Sequence, residues 1–465
     1  MYVFNDATND SRVLREAGAL AAAGHEVILM ARTRDIEAED EEVETRDGFT
    51  IVRVPLVGPW RTWWKAARGW KFALKLVGRT MLSEARHFPL GWLRVVALIG
   101  SLIAVLPYSI VRRSMRIVRG WLGHPVDRGG GNVAYVRRWV LLLGDWTRTA
   151  LARAPRADVH HGHDLTGLAA AARAAGRDNA TLVYDSHELF LESADHAVRW
   201  RAIRRILGRI ERRWAGVASA VVTVNEGIAG ELERRIHPPR LVVVHNTPPR
   251  WDPPEPRPDL FRQTLGIPAA SPIALYHGRL TVHRGIEPLA DALLEPGMEH
   301  VHGVVMGYGP LRESVEERAG SPGLLGRLHV VDAVPPDELL PWVASADVGI
   351  VAIHHSSLNH WLSTPNKLFE CIAAGVPVVA SDFPEIRRVV MDPDGPLGVL
   401  CEPEDVTQVA QAIRSLVDAP ADEREALRAR CLNAAHTRWN WETESAKLLD
   451  LYAELIPERA AAAVA

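Results

Sequence analysis

The sequence predicts an α/β protein built from two doubly wound, Rossmann-like domains. Two observations lead to this prediction. Short apolar runs alternate with amphipathic helical segments in two successive blocks of the chain, and polar residues follow each run. A proline-rich stretch at residues 248–258, typical of a stiff linker, separates the two blocks. The chain has 465 residues, of which 47% are hydrophobic, so it is long enough for two or three domains with substantial cores.

The order of the predicted elements follows from the spacing of the apolar residues. The first block predicts five strands, at residues 2–4, 25–31, 158–161, 181–184 and 220–224. A helix is predicted at residues 10–23, and a further helix is predicted after each of the last three strands. The second block opens with a strand at residues 273–276. The resulting parts are an N-terminal domain (1–248), a linker (249–270), a C-terminal domain (271–438) and closing helices (439–465).

The segment TPNKLFECIAAGVPVVAS, residues 364–381, predicts a helix followed by a buried strand. Thr364 is a favourable N-cap and Pro365 suits the first helical position, so the amides that follow can receive an anion such as a diphosphate. Lys367 lies in the first turn, and one turn further on Glu370 can accept from two hydroxyls of a ribose. The pattern indicates a nucleotide site, although an ordinary helix with a surface glutamate fits the residues alone equally well.

This segment resembles the donor-site signature of family 4 of the retaining glycosyltransferases, which have the GT-B architecture of two Rossmann-like domains facing a cleft. Other segments occur in the family's order and spacing: residues 9–31, 160–167, 184–190, 276–289, 304–316 and 334–351. The resemblance covers most of the chain outside residues 56–145, and it implies that the closing helices cross back to the first domain. One position departs, because many members have a glutamate where this chain has Leu362.

The resemblance assigns the donor site to the C-terminal domain. Arg279 and Arg284 follow a predicted strand, and two permanent cations there can neutralise a diphosphate leaving group. The loop at residues 332–335 corresponds to the family's base-facing loop. Donor-binding residues are expected to be Gly278, Gly307, Gly309, Val334, Thr364, Pro365, Asn366, Lys367 and Leu368. Catalytic residues are expected to be His163, Arg279, Arg284 and Glu370.

Polar residues of the N-terminal domain are expected to face the sugar and the acceptor. His163 follows a strand in HHGHD, and the similar family histidine faces the transferred sugar. The expected acceptor-binding residues are Asn5, Asp10, Ser11, Arg12, His187 and Glu188. The resemblance implies that the departing diphosphate takes the acceptor proton, and that neither a protein nucleophile, a cofactor nor a catalytic metal is needed.

A basic, tryptophan-rich insert is predicted at residues 56–145. Residues 60–119 hold twelve Lys or Arg and one acidic residue, a net charge of +11 in a chain whose net charge is −3. Basic and aromatic stripes recur there at helical spacing, which favours an amphipathic helix on an anionic membrane surface. The uncharged run at 95–111 contains Pro107 and has arginines on both sides, so we predict monotopic attachment; a helical insert packed on the core and a true span are the alternatives.

The function predicted from these features is metal-independent, retaining sugar transfer from a UDP- or GDP-linked donor to a lipid-linked or saccharide acceptor. Three widely spaced cysteines and the lack of a secretory signal favour the cytoplasmic face of the membrane. Nucleic acid is not expected as a partner, because tryptophans and an uncharged run accompany the basic residues. The alternatives are a nucleotide-sugar epimerase, a soluble glycosyltransferase with a small-molecule acceptor, and an inert scaffold, which only Leu362 suggests.

Overall fold

The computed structural model describes residues 1–8, 10–35, 38–56, 142–193 and 201–456. Its described residues form two compact units. Unit 1 lies within Met1–Asp185 and Val198–Ser219, and unit 2 lies within Ser186–Ala197 and Ala220–Ala465. The units differ from the predicted boundary at residue 248, because residues 220–248 are grouped with unit 2. The predicted insert falls almost wholly outside the described residues, so its membrane attachment stays a prediction.

Unit 1 contains a sheet covered by helices. Its strands are β1 (Ile28–Arg32), β2 (Glu42–Arg46), β3 (Phe49–Val54), β4 (Val159–His163) and β5 (Thr181–Ser186). Its helices are α1 (Ser11–Ala22), α2 (Leu143–Arg153), α3 (Asp164–Asp178) and α4 (Arg201–Ala215). Strand β3 pairs in parallel with β1 and antiparallel with β2, while β4 and β5 are parallel.

The predicted first strand is reduced to a bridge at one residue. Tyr2 pairs with Met30 of β1 on one side and with Gly162 of β4 on the other. Its amide donates to the His161 carbonyl at 2.8 Å, and its carbonyl accepts from the His163 amide at 3.0 Å. Although short, this segment therefore joins β1 to β4, which brings the carboxyl end of β4 and the start of α1 into one unit.

Unit 2 is built mainly from a six-stranded parallel sheet. The strands of unit 2 are β6 (Ala220–Thr223), β7 (Leu241–Val243), β8 (Ile273–Arg279), β9 (His302–Tyr308), β10 (Leu328–Val331), β11 (Val348–Val351), β12 (Val378–Ser381) and β13 (Gly398–Cys401), of which β8 to β13 form the six-stranded sheet. The sheet order β10-β9-β8-β11-β12-β13 is the Rossmann order 3-2-1-4-5-6 when the strands are counted within the domain. The remaining strands, β6 and β7, pair in parallel with each other.

The helices of unit 2 lie on both faces of this sheet and beside β7. They are α5 (Glu226–Ile236), α6 (Leu260–Leu265), α7 (Ile286–Ala292), α8 (Arg312–Ala319), α9 (Leu339–Ala344), α10 (Leu358–Trp361), α11 (Asn366–Ala373), α12 (Pro384–Val390), α13 (Val406–Val417), α14 (Ala421–Thr437) and α15 (Trp441–Leu455). Alternate residues of β8 point to different faces: Leu275 packs in the cluster that contains Phe369 of α11, and Tyr276 packs in the cluster of α7 and α13. Within the described ranges, no helix is both long and apolar enough to cross a membrane.

Buried polar contacts place residues 241–248 in unit 2. The His245 amide donates to Glu444 of α15 at 2.8 Å, and the His245 ring lies 5.2 Å from that of Trp439. The Trp441 amide donates to the Pro248 carbonyl at 2.9 Å. These contacts explain why the chain before the proline-rich stretch belongs with the second unit. The predicted crossing of residues 439–465 to the first domain stays a prediction.

Candidate active site

The candidate donor site lies at the carboxyl edge of the unit 2 sheet, near its topological switch point. The chain order reverses between β8 and β11, which are adjacent in the sheet. Ligands of doubly wound proteins bind beyond the strand ends at such a point. Strand β8 runs three residues further than its predicted end at residue 276, so Gly278 and Arg279 are its last two residues. Both are exposed.

Glu370 of α11 is held by a histidine of β8. His277 is 3% exposed, and its Nε2 lies 2.9 Å from Glu370 Oε2. His277 follows Leu275 at the two-residue period of a strand, so it lies on the face that packs against α11. Sequence analysis missed this role. The available signal was a histidine immediately before the Gly278-Arg279 pair.

Three cationic side chains accompany Glu370. Arg279 is exposed and Arg284 is half-buried, and neither side chain has an ion pair or hydrogen bond within the described parts of the chain. Lys367 is 8% exposed, and its Nζ lies 3.3 Å from the centroid of the Tyr276 ring without a hydrogen-bond partner among the described residues. Burial, and then repulsion by Arg284, hold the pKa of Lys367 well below its usual range. Arg279 and Arg284 therefore carry charge that no ion pair neutralises among the described residues.

The three predicted glycines have structural reasons to be glycine. Gly278 has a φ of +115°, which L residues with side chains rarely adopt. A Cβ on Gly307 would lie 1.8 Å from the Gly278 carbonyl oxygen, and one on Gly309 would lie 2.4 Å from that of Leu280. Gly307 and Gly309 thus permit the close approach of β9 and β8. Donor contact by these residues stays a prediction.

Helix α11 begins one residue later than predicted. Pro365 occupies the N-cap with an extended ψ of 145°, and the first helical residue is Asn366. Thr364 is therefore not the N-cap, and its hydroxyl instead accepts from Asn225 Nδ2 at 3.2 Å. Proline fixes only φ, which explains how Pro365 can stay outside the helix. Asn225 also donates to the Leu362 carbonyl at 2.8 Å, so it holds the segment that leads into α11.

The other predicted residues of this region have different surroundings. Leu368 has a fully buried side chain, and its amide donates to the Pro365 carbonyl at 2.9 Å, so it retains no amide for a ligand. Donor contact by Leu368 stays a prediction. Asn366 is exposed, and its Oδ1 accepts from Asn246 Nδ2 at 2.9 Å. Val334 is half-buried against the core.

In unit 1, His163 belongs to a buried ionic network. Its Nδ1 lies 3.2 Å from Asp185 Oδ2, and its ring stacks on His161 with centroids 4.5 Å apart. Arg12 donates to both oxygens of Asp185 at 2.9 Å and lies 3.0 Å from Glu16. All five side chains are at most 2% exposed. Arg12 therefore supports His163 through Asp185. Acceptor contact by Arg12 stays a prediction.

Four members of this network, Glu16, His161, His163 and Asp185, have potential metal-ligand atoms within 4.8 Å of one another. The guanidinium of Arg12 already contributes positive charge to both carboxylates. Burial, and then repulsion by His163, lower the pKa of His161 well below its usual range, which favours an uncharged ring. The network is consistent with an internal ion-pair cluster that orients His163.

The predicted acceptor residues are distributed over both units. In unit 1, Asn5 Nδ2 donates to Asp10 Oδ2 at 2.8 Å, and Asp10 caps α1 by accepting from the Val13 amide. These side chains therefore hold the loop that precedes Ser11, which is half-buried. In unit 2, His187 is half-buried, and Glu188 Oε2 accepts from Asn359 Nδ2 at 3.0 Å. Acceptor contact by these residues stays a prediction.

Comparison with known proteins identifies the class as glycosyltransferase. Residues 271–419 match the family described as Glycosyl transferases group 1, and residues 111–247 match Glycosyltransferase Family 4. The chain is 30% identical over 319 residues to D-inositol 3-phosphate glycosyltransferase of Xylanimonas cellulosilytica. The aligned region covers 65% of this chain and 73% of the relative. The chain belongs to family 4 of the glycosyltransferases, as its motifs predicted.

Solved structures establish the fold. Sucrose-phosphate synthase of Thermosynechococcus elongatus matches with a TM-score of 0.65 and 17% identity, covering 96% of this chain and 93% of that one. HepE of Anabaena, in complex with UDP-glucose, matches with a TM-score of 0.54 and 17% identity over 69% and 84% of the two chains. The predicted GT-B fold is confirmed, and the chain is an enzyme that transfers a sugar from a nucleotide sugar.

Proposed function

We propose that the enzyme transfers a sugar from a UDP- or GDP-linked donor to an acceptor hydroxyl with retention of the anomeric configuration. The supporting observation is the arrangement at the carboxyl edge of the unit 2 sheet. There Glu370, held by His277, accompanies three basic side chains that have no ion pair or hydrogen bond among the described residues, Arg279, Arg284 and Lys367.

Each group has a role in this proposal. The Glu370 carboxylate accepts hydrogen bonds from the donor ribose, and Arg279, Arg284 and Lys367 bind the diphosphate. As the bond to the sugar breaks, negative charge grows on the leaving diphosphate, and the same cations stabilise it. They supply charge that a metal ion would otherwise supply, which supports metal-independent transfer. His163, oriented by Asp185, hydrogen-bonds the sugar, and the diphosphate accepts the acceptor's proton on the same face.

For the acceptor, we favour a small soluble polyol or saccharide. The support comes from relatives whose names specify D-inositol 3-phosphate, including the enzyme of Xylanimonas cellulosilytica. A lipid-linked acceptor at the cytoplasmic face of the membrane is the second candidate, and the +11 charge of residues 60–119 favours it.

Donor binding and stereochemistry test the main proposal. Calorimetry with UDP, GDP and their sugars in EDTA should show binding of one nucleotide, and Glu370→Gln should weaken it by about 1 to 3 kcal/mol, as for a hydrogen bond to a charged group. Product analysis by NMR should show the donor's anomeric configuration. A donor affinity unchanged by Glu370→Gln, or an inverted product, would refute the proposal.

Vesicle sedimentation separates the two acceptor candidates. A lipid-linked acceptor predicts that the protein sediments with anionic vesicles and that high salt releases part of it, because salt screens the basic residues but not the tryptophans. Replacing Trp63, Trp64 and Trp70 by Ser should abolish vesicle binding at all salt concentrations. Replacing Arg61, Lys65 and Arg68 by Gln should remove only the salt-sensitive part of the binding. Protein that ignores vesicles and glycosylates soluble polyols would support the first candidate.

A further inference from the structure

A basic cavity lies at the amino edge of the unit 2 sheet, opposite the strand ends that carry Arg279. Pro272, Asp347 and Pro377 line it, and they directly precede β8, β11 and β12. Its volume is about 480 Å³, which is within the usual size of small-molecule sites. Its charged lining consists of four arginines and two acids: Arg257, Arg262, Arg424, Arg428, Asp347 and Glu425.

The positive charge of this cavity is incompletely neutralised. Asp347 lies 3.7 Å from Arg257 and 2.7 Å from Arg262, and Arg262 also pairs with Asp259 at 2.9 Å. The Arg428 side chain has no ion pair or hydrogen bond within the part of the chain that the structure describes, and its Nη1 is buried. Burial lowers the pKa of Arg257, and repulsion by Arg428 and Arg262 counteracts the attraction of Asp347. Arg428 is therefore a guanidinium in the cavity wall without a counter-ion among the described residues.

Phosphate suits this cluster better than other small anions. Arginine presents planar, paired donors that match phosphate oxygens, and a doubly charged ion balances more than one guanidinium. The rest of the wall is largely apolar, with Leu416 and Leu427 among its residues, so there is space beside the arginines for a short organic group. We propose that the basic cavity binds a phosphate dianion, either inorganic phosphate or a small phosphate monoester, at a site separate from the donor site.

The basic cavity also reaches the end of α11. Gly375 follows this helix and lines the cavity, and a Cβ on it would lie 3.2 Å from Arg428 Cγ. Lys367 lies at the opposite end of α11, and Glu370 lies one turn further along the helix. A dianion in the cavity would thus contact one end of the helix whose other end binds the donor. This connection to the donor rests on the proposed function, whereas the anion site itself does not.

Phosphate titration of the full-length protein tests the site. Saturating nucleotide first fills the donor site, and inorganic phosphate is then titrated by calorimetry at constant ionic strength. We expect saturable binding that Arg428→Gln weakens at least tenfold. The control is Arg430→Gln, which removes the same charge from the same helix; Arg430 instead contacts the Pro396 carbonyl, at 3.3 Å. This control should bind phosphate like the wild type.

Two further arms complete the experiment. If the natural ligand is a phosphate monoester, glycerol 3-phosphate should bind more tightly than inorganic phosphate. If the natural ligand is inorganic phosphate, glycerol 3-phosphate should bind no more tightly. Both results support the site. No saturable binding, or equal losses in Arg428→Gln and Arg430→Gln, would overturn it, provided that both variants keep the wild-type melting temperature. If neither UDP nor GDP binds, the proposed function fails, but the phosphate titration still tests the cavity through the same pair of variants.

Discussion

His277 and Glu370 are 93 residues apart in sequence, yet a hydrogen bond of 2.9 Å joins His277 Nε2 to Glu370 Oε2. Donation from Nε2 requires the tautomer with its hydrogen on that nitrogen. Nδ1 has no hydrogen-bond partner among the described residues, so Nε2 is the nitrogen that holds the carboxylate. Fixing a glutamate side chain costs about 1.5 to 2 kcal/mol of rotamer entropy. His277 therefore orders Glu370 before the donor arrives.

Replacing His277 should consequently weaken donor binding more than turnover. We expect His277→Leu to raise the donor Kd about tenfold, which corresponds to about 1.4 kcal/mol. A hydrogen bond to a charged group contributes about 1.5 to 3 kcal/mol, and we expect most of the smaller figure to appear as lost donor affinity. His277→Gln should retain most of the affinity, since its amide can donate from nearly the same position as Nε2. Calorimetry and steady-state kinetics would measure both effects.

A double-mutant cycle separates this positioning role from a general structural one. In the Glu370→Gln background, His277→Leu should have little further effect on donor affinity, because the group that it positions has already changed. Additive losses would contradict the positioning role while leaving the donor site intact. An unchanged affinity in Glu370→Gln alone would instead contradict the donor site.

Arg279 and Arg284 should affect turnover steeply. We expect Arg279→Ala or Arg284→Ala to reduce kcat by on the order of a hundredfold, because each removes charge that stabilises the leaving diphosphate. Arg414→Ala is a suitable control, since Arg414 lies on α13 and pairs with Asp418. Wild-type kcat in either site variant would mean that the diphosphate binds elsewhere.

Donor binding should take up protons through Lys367. Burial lowers the pKa of Lys367, and a bound diphosphate would raise it by favouring the charged ammonium. Donor affinity should therefore be highest at a pH below the pKa that Lys367 has in the free enzyme. It should fall as pH rises from that value toward the pKa that Lys367 has in the donor complex. Calorimetry in buffers of different ionisation enthalpy would measure the uptake. Lys367→Met should abolish it, and Lys447→Met should not; equal uptake in wild type and Lys367→Met would exclude Lys367.

His245 should make stability depend on pH. Burial lowers the pKa of His245, but hydrogen bonds with Glu226 and Glu444 outweigh burial, so the net pKa is raised. A histidine whose pKa is higher in the folded protein than in the unfolded chain stabilises the fold. This stabilisation is fully present below the pKa of the unfolded chain, about 6.5, and is lost as pH rises through the pKa of the folded protein. The difference in unfolding free energy between wild type and His245→Gln should therefore shrink as pH rises above about 6.5 and through the raised pKa of His245 in the folded protein. A constant difference would contradict this assignment.

Local patterns predicted the elements of unit 2 well, because the signals lie within short segments. The apolar run that begins at Ile273 and the helix that carries Glu370 are examples. The start of α11 was displaced by one residue, since the ring of Pro365 fixes φ but leaves ψ at 145°. The partnership of Arg12 with Asp185, 173 residues away, was missed because no local period links two such distant residues. Tertiary pairing decided these roles.

The alternating course of the chain between the two units has a consequence for its synthesis. The chain leaves unit 1 after residue 185, returns at residue 198 and leaves again after residue 219. No single cut can therefore release either unit whole. A fragment that begins at residue 249 would lack Asn225 and His245, leaving the buried Glu444 without its histidine. On the ribosome, unit 1 has its last segment once residue 219 emerges, whereas the segment that ends at residue 197 is synthesised before all of residues 220–465, the rest of its own unit.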